Sequence, residues 1–264
     1  MKREYKTMKK SYRFLDKTGL STPLDIIGDV HGCFEELTEL LEKLGYRETE
    51  NGYVHPDGRT CVFVGDLTDR GPASVPCMKL VMKTVKAGNA YYVIGNHDDK
   101  LRRYLQGNPV KLMRGLETTA AEFEKETKAF REEVRRFLEE LPLYITFDKG
   151  KLLVVHAGIK EEMIGRTGER VRTFCLYGDI DGSTDEYGYP VRADWAASYQ
   201  GKPFVVFGHS PVREARRYEN ALNIDTGCVF GGKLSAYRYP EKEITEVPAR
   251  RKYAEHKDFP DEEE

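Results

Sequence analysis

Five times in this chain a short apolar run stops at a polar cluster that carries an aspartate, a histidine or both. "LDII" (24–27) runs into G-D-V-H-G, which supplies Asp29 and His31, and "CVFV" (61–64) into G-D-L-T-D-R-G, which supplies Asp66, Asp69 and Arg70. "YYVI" (91–94) is followed by G-N-H-D, with Asn96, His97 and Asp98. "LLVV" (152–155) leads to H-A-G, with His156, and "FVVF" (204–207) to G-H-S-P-V, with His209. Four residues rich in β-branched and aromatic side chains make a buried strand, and glycine lets the chain turn off it without a Cβ clash. A fold that satisfies this pattern has to gather five strand ends, and four of the six histidines of the chain sit at them. One such segment is an ordinary turn or a satisfied core histidine. Five in succession specify a site.

The stretches between the early runs are helical in period. Phe34, Leu37, Leu41 and Leu44 form one stripe, ended by Gly45, and Val75, Met78, Val81, Met82 and Val85 form another over 74–87. Residues 119–141 read as one longer helix, opening with Thr119 and Glu122 in capping-box register and burying Phe123, Phe130, Val134, Phe137 and Leu141. "ALNI" (221–224), "KLSAYRY" (233–239) and "EITEV" (243–247) follow closely and alternate more, as in an antiparallel meander. Strand–helix alternation followed by clustered strands predicts a mixed α/β domain over 24–248, with its ligand site beyond the carboxyl ends of the strands. Residues 1–23 carry seven Lys/Arg against two acidic residues and read as a mobile basic arm. Residues 249–264, "ARRKYAEHKDFPDEEE" from Ala249, read as a disordered polar tail. His256 falls in that tail and His55 in the hairpin-like "GYVHPDGR", so neither is expected to be a ligand.

Carboxylates and imidazoles gathered in this way make two metal sites. The mixture suits borderline divalent ions such as Mn, Fe, Co, Ni or Zn better than Mg, which prefers oxygen alone. Ions roughly 3.5–4 Å apart need a shared ligand, and Asp66 is the candidate bridge. Two cations that share a water lower its pKa enough to make hydroxide available at neutral pH. Asp29 and His31, at i and i+2 of an extended segment, point the same way. Composition narrows the partners. A net charge of −2, with 33% of residues charged, argues against non-specific nucleic-acid binding. Five widely spaced cysteines without a CxxC read as reduced thiols, so a cytoplasmic location is expected. No apolar run approaches the roughly 18–20 residues of a membrane span.

Together GDxHG, GDxxDRG, GNHD, HAG and GH resemble the calcineurin-like metallophosphoesterases, in the branch of the bacterial and eukaryotic Ser/Thr protein phosphatases, over residues 24–248. The resemblance implies an α/β (α+β) fold, a four-layer αββα sandwich of two mixed β-sheets with a dinuclear centre at one edge. It implies Asp29, His31 and Asp66 on one metal, and Asp66, Asn96, His156 and His209 on the other. It further implies that His97 protonates the leaving oxygen, that Asp69 orients His97, and that Arg70 grips a phosphate oxygen. An amide oxygen can ligate, a carboxylate-held imidazole is a neutral-pH acid, and a guanidinium fork matches a phosphoryl group.

The stretches "KLRRYLQGNPVKLMRGLETTAAEF", "RVRTFCLYGD", "RADWAASYQGK" and "NIDTGCVFGGKLSAYRYPE" are similar to the bacterial PrpE group. That group comprises asymmetrical bis(5'-nucleosyl)-tetraphosphatases, which split diadenosine tetraphosphate into ATP and AMP. The resemblance therefore implies hydrolysis by metal-bound hydroxide, with Mn or Ni foremost. Thr68 and Asp98 stand where protein phosphatases commonly carry Val and Glu. Lys100 and Arg103, at i and i+3, could face a polyphosphate or solvent. Arg170 and Arg172 alternate in what reads as an extended loop that could face the site. Trp195, with Tyr199 at i+4, reads as a packed face or a base-stacking platform. Asp225 reads as a turn residue or as the orienter of a ligand histidine. The alternative activities are a Ser/Thr/Tyr protein phosphatase acting on phosphoproteins, and a nucleic-acid end phosphatase or 2',3'-cyclic phosphodiesterase. A binding module without turnover is disfavoured, because every ligand position and the acid histidine are filled.

Overall fold

The computed structural model describes residues 12–20, 22–184, 190–257 and 259. Two mixed sheets carry the fold. The five-stranded sheet has the order β15 (Glu243–Pro248), β14 (Lys233–Tyr239), β2 (Leu24–Ile27), β5 (Thr60–Phe63) and β6 (Ala90–Tyr92). β2, β5 and β6 are parallel, while β14 runs antiparallel to both β2 and β15. The six-stranded sheet has the order β1 (Leu15–Lys17), β7 (Tyr144–Phe147), β8 (Leu152–Val155), β11 (Phe204–Phe207), β13 (Ala221–Asn223) and β12 (Arg216–Arg217). Its core pairs β8–β11 and β11–β13 are parallel. Two hairpins, β3 (Arg47–Thr49) with β4 (Gly52–Val54) and β9 (Asp179–Thr184) with β10 (Pro190–Ala193), complete the strands.

The strands are apolar on both faces because both faces are covered. Ile26, Val62, Val154, Val206, Leu222 and Tyr237 pack together between the sheets. Their chain neighbours Ile27, Phe63, Val155 and Phe207 belong to the outer core. This is the two-residue period of a strand buried twice, and each fully buried aliphatic side chain stabilises by about 1.5–3 kcal/mol. Helices α1 (Phe34–Lys43) and α2 (Ser74–Lys86) lie on the five-stranded sheet. α3 (Asn96–Leu105), α4 (Leu116–Glu124) and α5 (Lys128–Glu139) pack on one another and on α2. On the other sheet, Trp195 sits 4.9 Å from the Phe207 ring and 6.2 Å from Phe174 of α6 (Glu169–Tyr177).

Several expectations are corrected. The single helix over 119–141 is two helices, because Thr127 turns extended and its hydroxyl caps α5 by accepting from Phe130 N. Thr119 lies inside α4, and Glu122 caps a different helix, accepting from the N–H groups of Ser74 and Val75 at 3.0 and 2.9 Å. The three late strands are not one meander: β13 lies in the six-stranded sheet, parallel to β11. The arm over 1–23 is not loose where it is described. β1 pairs with β7, and Phe14 stacks on Tyr144 at 5.0 Å; residues 1–11 of that arm lie outside the described residues. The tail docks where it is described, and residues 258 and 260–264 lie outside the described residues. Ala249 N donates to Gly232 O, Tyr253 N and Ala254 N to Val229 O, and Phe259 is buried. A mainly polar composition hid the few apolar groups that anchor it. No helix among the described residues is long and apolar enough to cross a membrane.

Candidate active site

All five strand-end clusters converge. The loops after β2 and β5 are tied to each other, with His31 N donating to Asp66 O and Gly32 N to Leu67 O, both at 2.9 Å. Asp98 collects the N–H groups of Asp66 (2.9 Å), Leu67 (3.3 Å) and Gly95 (2.8 Å), which joins the third cluster to the second. Asp66 Oδ1 in turn accepts from His97 N at 2.9 Å. A Cβ at Gly95 would overlap Asp66 Oδ1, and one at Gly208 would overlap Asp29 Oδ1, so these two glycines are set by close approach of carboxylates. His31, Asp66, Asp69, Arg70 and His209 all adopt positive φ, between 47° and 75°, where L-residues are strained.

The histidines have defined tautomers. His156 Nδ1 lies 3.1 Å from Val64 O and His31 Nδ1 2.9 Å from Thr68 O. A carbonyl only accepts, so both Nδ1 atoms donate and each Nε2 presents a lone pair. His156 Nε2 then faces Asn96 Oδ1 at 3.0 Å, His209 Nδ1 at 3.1 Å and Asp66 Oδ2 at 3.4 Å. Asp66, His156 and His209 offer ligand atoms within 4.8 Å of one another, and so do His31, Asp66 and His97. His31 Nε2 stands 2.6 Å from the Arg70 guanidinium, a cation already placed against this lone pair. His209 Nε2 is buried without a hydrogen-bond partner among the described residues. Two clusters of donor atoms that share Asp66, with the far ring nitrogens of His31 and His156 bonded to carbonyls, fit divalent metal ions.

The electrostatics agree. Burial, then the charges of Asp225 and Asp66, hold the Asp29 carboxyl well above its ordinary range. Burial raises Asp66 and Asp225 to about 7 and Asp69 to about 6. Burial, then Arg70, lowers the His97 imidazole. Four buried carboxyls beside one guanidinium need more positive charge to ionise together, which bound cations supply.

Asp29 does not join His31 in the tight donor cluster. Its carboxylate accepts from His209 N at 3.1 and 3.3 Å, and His97 takes the place near His31 and Asp66. His97 Nδ1 is 2.6 Å from Asp69 Oδ2, and Asp69 N is held by Ser74 and Thr119, each at 3.1 Å. Asp66, Arg70, Asn96, His97, His209 and Asp225 open onto a cavity of about 740 Å³, and Lys100 and Arg103 line it too, from α3.

The other substrate-side expectations are corrected. Arg170 and Arg172 are on α6. Arg172 is spent on Asp99 (2.5 Å) and Glu169 (3.0 Å), and Arg170 lines a separate hollow. Trp195 is buried, donating to Ala157 O at 3.0 Å, so its faces serve packing. Asp225 lines the cavity, but among the described residues its carboxylate accepts from Gly227 N, not from a ligand histidine. His55 packs edge-on against Tyr46. The sequence reading missed Lys111, Arg114 and Arg192, and the whole wall formed by Phe230 and residues 253–256. The basic "KLMR" between Pro109 and Gly115 was the one available signal.

Residues 22–237 match the family model described as calcineurin-like phosphoesterase. Two curated relatives bear the name bis(5'-nucleosyl)-tetraphosphatase PrpE [asymmetrical]. That of Halalkalibacterium halodurans is 54% identical over 230 residues, 86% of this chain and 94% of the relative. That of Bacillus subtilis is 50% identical over 235 residues, 88% and 96% respectively. A solved structure whose own assignment as a diadenosine tetraphosphatase is provisional superposes with a TM-score of 0.67 at 27% identity, over 90% of this chain and 99% of that one. A Saccharomyces cerevisiae protein serine/threonine phosphatase shares the fold, with a TM-score of 0.58 at 17% identity over 94% and 85% of the two chains.

Proposed function

Since the chain belongs to the calcineurin-like phosphoesterases, we propose that it is a metal-dependent phosphohydrolase that splits diadenosine tetraphosphate asymmetrically into ATP and AMP. The observation that carries the substrate is the charge of the cavity. Arg70, Lys100, Arg103, Lys111, Arg114 and Arg192 line it together, against the carboxylates Asp66, Glu117, Asp225 and Glu255, an excess of cations that suits a chain of phosphates better than one phosphoryl group. The relatives of about half identity, matched over nearly their whole length, bear the corresponding name.

Asp29, His31 and Asp66 would hold one divalent ion, and Asp66, Asn96, His156 and His209 the other. Mn or Ni suits this mixture of carboxylate, amide and imidazole. When bound, the ions supply Lewis-acid activation of water and neutralise phosphoryl charge. The side chains do the rest. Arg70 forks onto the equatorial oxygens of the reacting phosphorus, and the other cavity cations hold the remaining phosphates. As the phosphoanhydride bond breaks, the bridging oxygen leaves with one nucleotide and His97 delivers a proton to it. Asp69 holds the opposite ring nitrogen throughout. Five free, buried cysteines support a reducing, cytoplasmic setting.

The test is steady-state turnover with Mn and with Ni on diadenosine tetraphosphate, products resolved by chromatography, beside a phosphopeptide. ATP plus AMP at a much higher kcat/KM than phosphate release supports the proposal. The reverse order would replace it with a protein phosphatase.

A further inference from the structure

The segment from Ala249 to His256 folds back against the body, and Tyr253, Ala254, Glu255 and His256 form part of the cavity lining. Its docking is specific. Besides the bonds to Val229 and Gly232, the buried Glu36 carboxylate accepts from Arg250 N at 2.9 Å and from Tyr253 Oη–H at 2.8 Å. The glycine-rich turn 227–232 is shaped to receive it. A Cβ at Gly227, where φ is +68°, would overlap the Phe259 ring. Phe230 joins the segment to the chemistry, with the Arg70 guanidinium 5.3 Å from its ring centroid and the His256 ring at 4.7 Å. Phe259 packs on both Phe230 and His256, at 5.9 and 6.0 Å.

A cavity that takes a dinucleoside polyphosphate needs an aromatic surface as well as cations, because the base is flat and apolar on its faces. Trp195, the aromatic group the sequence offered, is buried away from the cavity. Apart from His97 and His209 of the strand-end clusters, the aromatic side chains that line it among the described residues are Tyr177, Phe230, Tyr253 and His256, and two of those four come from the C-terminal segment. We propose that this segment is the nucleoside-binding wall of the site: His256, propped by Phe230 and Phe259, provides a surface on which a substrate base stacks, while the phosphates run toward Arg70. The inference rests on the dinucleotide reading above and adds to it a recognition element from outside the five strand-end clusters.

The experiment uses the full-length, manganese-loaded protein and two probes, adenosine 5'-(β,γ-methylene)triphosphate and inorganic tripolyphosphate, with dissociation constants from calorimetry. His256→Ala is expected to weaken the nucleotide analogue about tenfold, as for loss of a stacked base, and tripolyphosphate less than about twofold. His256→Phe, which keeps a flat ring, is expected to restore nucleotide affinity. Manganese stoichiometry by elemental analysis and the melting temperature should hold in both variants, which shows that they are folded. Equal weakening of the two probes would overturn the proposal, leaving the segment only a brace for Arg70 through Phe230. Unchanged affinity for both would overturn it as well. If the wild-type protein binds the nucleotide analogue no more tightly than tripolyphosphate, the dinucleotide reading itself fails, a result distinct from either.

Discussion

His97 illustrates how much of this site is decided by single residues. Its ring is held by Asp69 at Nδ1 and its backbone N–H by Asp66, and the proposed function assigns its other nitrogen to the leaving oxygen. His97→Ala is expected to keep its metal, by elemental analysis, and to lose about 10²–10⁴-fold in kcat on diadenosine tetraphosphate. Full activity would remove the acid assignment. Gly208→Ala is a subtler change with a larger consequence. The added methyl would overlap Asp29 Oδ1, so metal stoichiometry should fall and turnover drop at least about a hundredfold, the scale set by an ångström of misplacement. The left-handed backbone at His31, Asp66, Asp69, Arg70 and His209 costs about 1–3 kcal/mol at each position, which the interlocked loops sustain. These residues were legible in the sequence because glycine, carboxylate and imidazole stand within a few positions of a strand end. Arg172 was misread because its partner Asp99 is 73 positions away in the chain, whereas Trp195 takes the packed alternative, against Phe207.

At the scale of elements, the pieces that support the site are borrowed. Glu122 of α4 caps α2, and Thr119 of α4 bonds both Ser74 Oγ and Asp69 N, so one helix braces the loop that carries the acid's partner. Glu122→Gln removes the charge from that cap. It should cost about 0.5–2 kcal/mol, seen as a melting temperature lower by a few degrees, with metal content unchanged. An unshifted melting curve would show that the cap contributes little. Local pattern revealed α1, α2 and most strands, since each has a periodic stripe or a four-residue apolar run. The division between α4 and α5 was not legible, because the apolar stripe continues across it and only the Thr127 cap marks the break. β1 is three residues long, too short to show a period, and its identity comes from pairing with β7.

For the molecule as a whole, the buried carboxyls tie stability to metal. Added manganese should raise the melting temperature, stabilising the fold by about 2.7 kcal/mol at a hundredfold excess over Kd, and chelation should reverse it. Asp66→Asn should abolish the response, and an equal shift in that variant would refute the assignment of Asp66. What no local pattern could announce is the order in which the chain closes. β2 lies between β5 and β14, and Asp25 on β2 is bridged at 2.9 Å by Arg238 on β14, while the cavity wall comes from residues beyond 250. At about 5–20 residues per second, a ribosome needs roughly 10–40 s to travel from β2 to β14. Throughout that interval β2 keeps an open edge of the kind that recruits chaperones or other strands. The strand that closes this edge is therefore made after every candidate metal ligand, His209 included, so the loop carrying Asp29 and His31 lacks its β14 support until the chain has grown past residue 239.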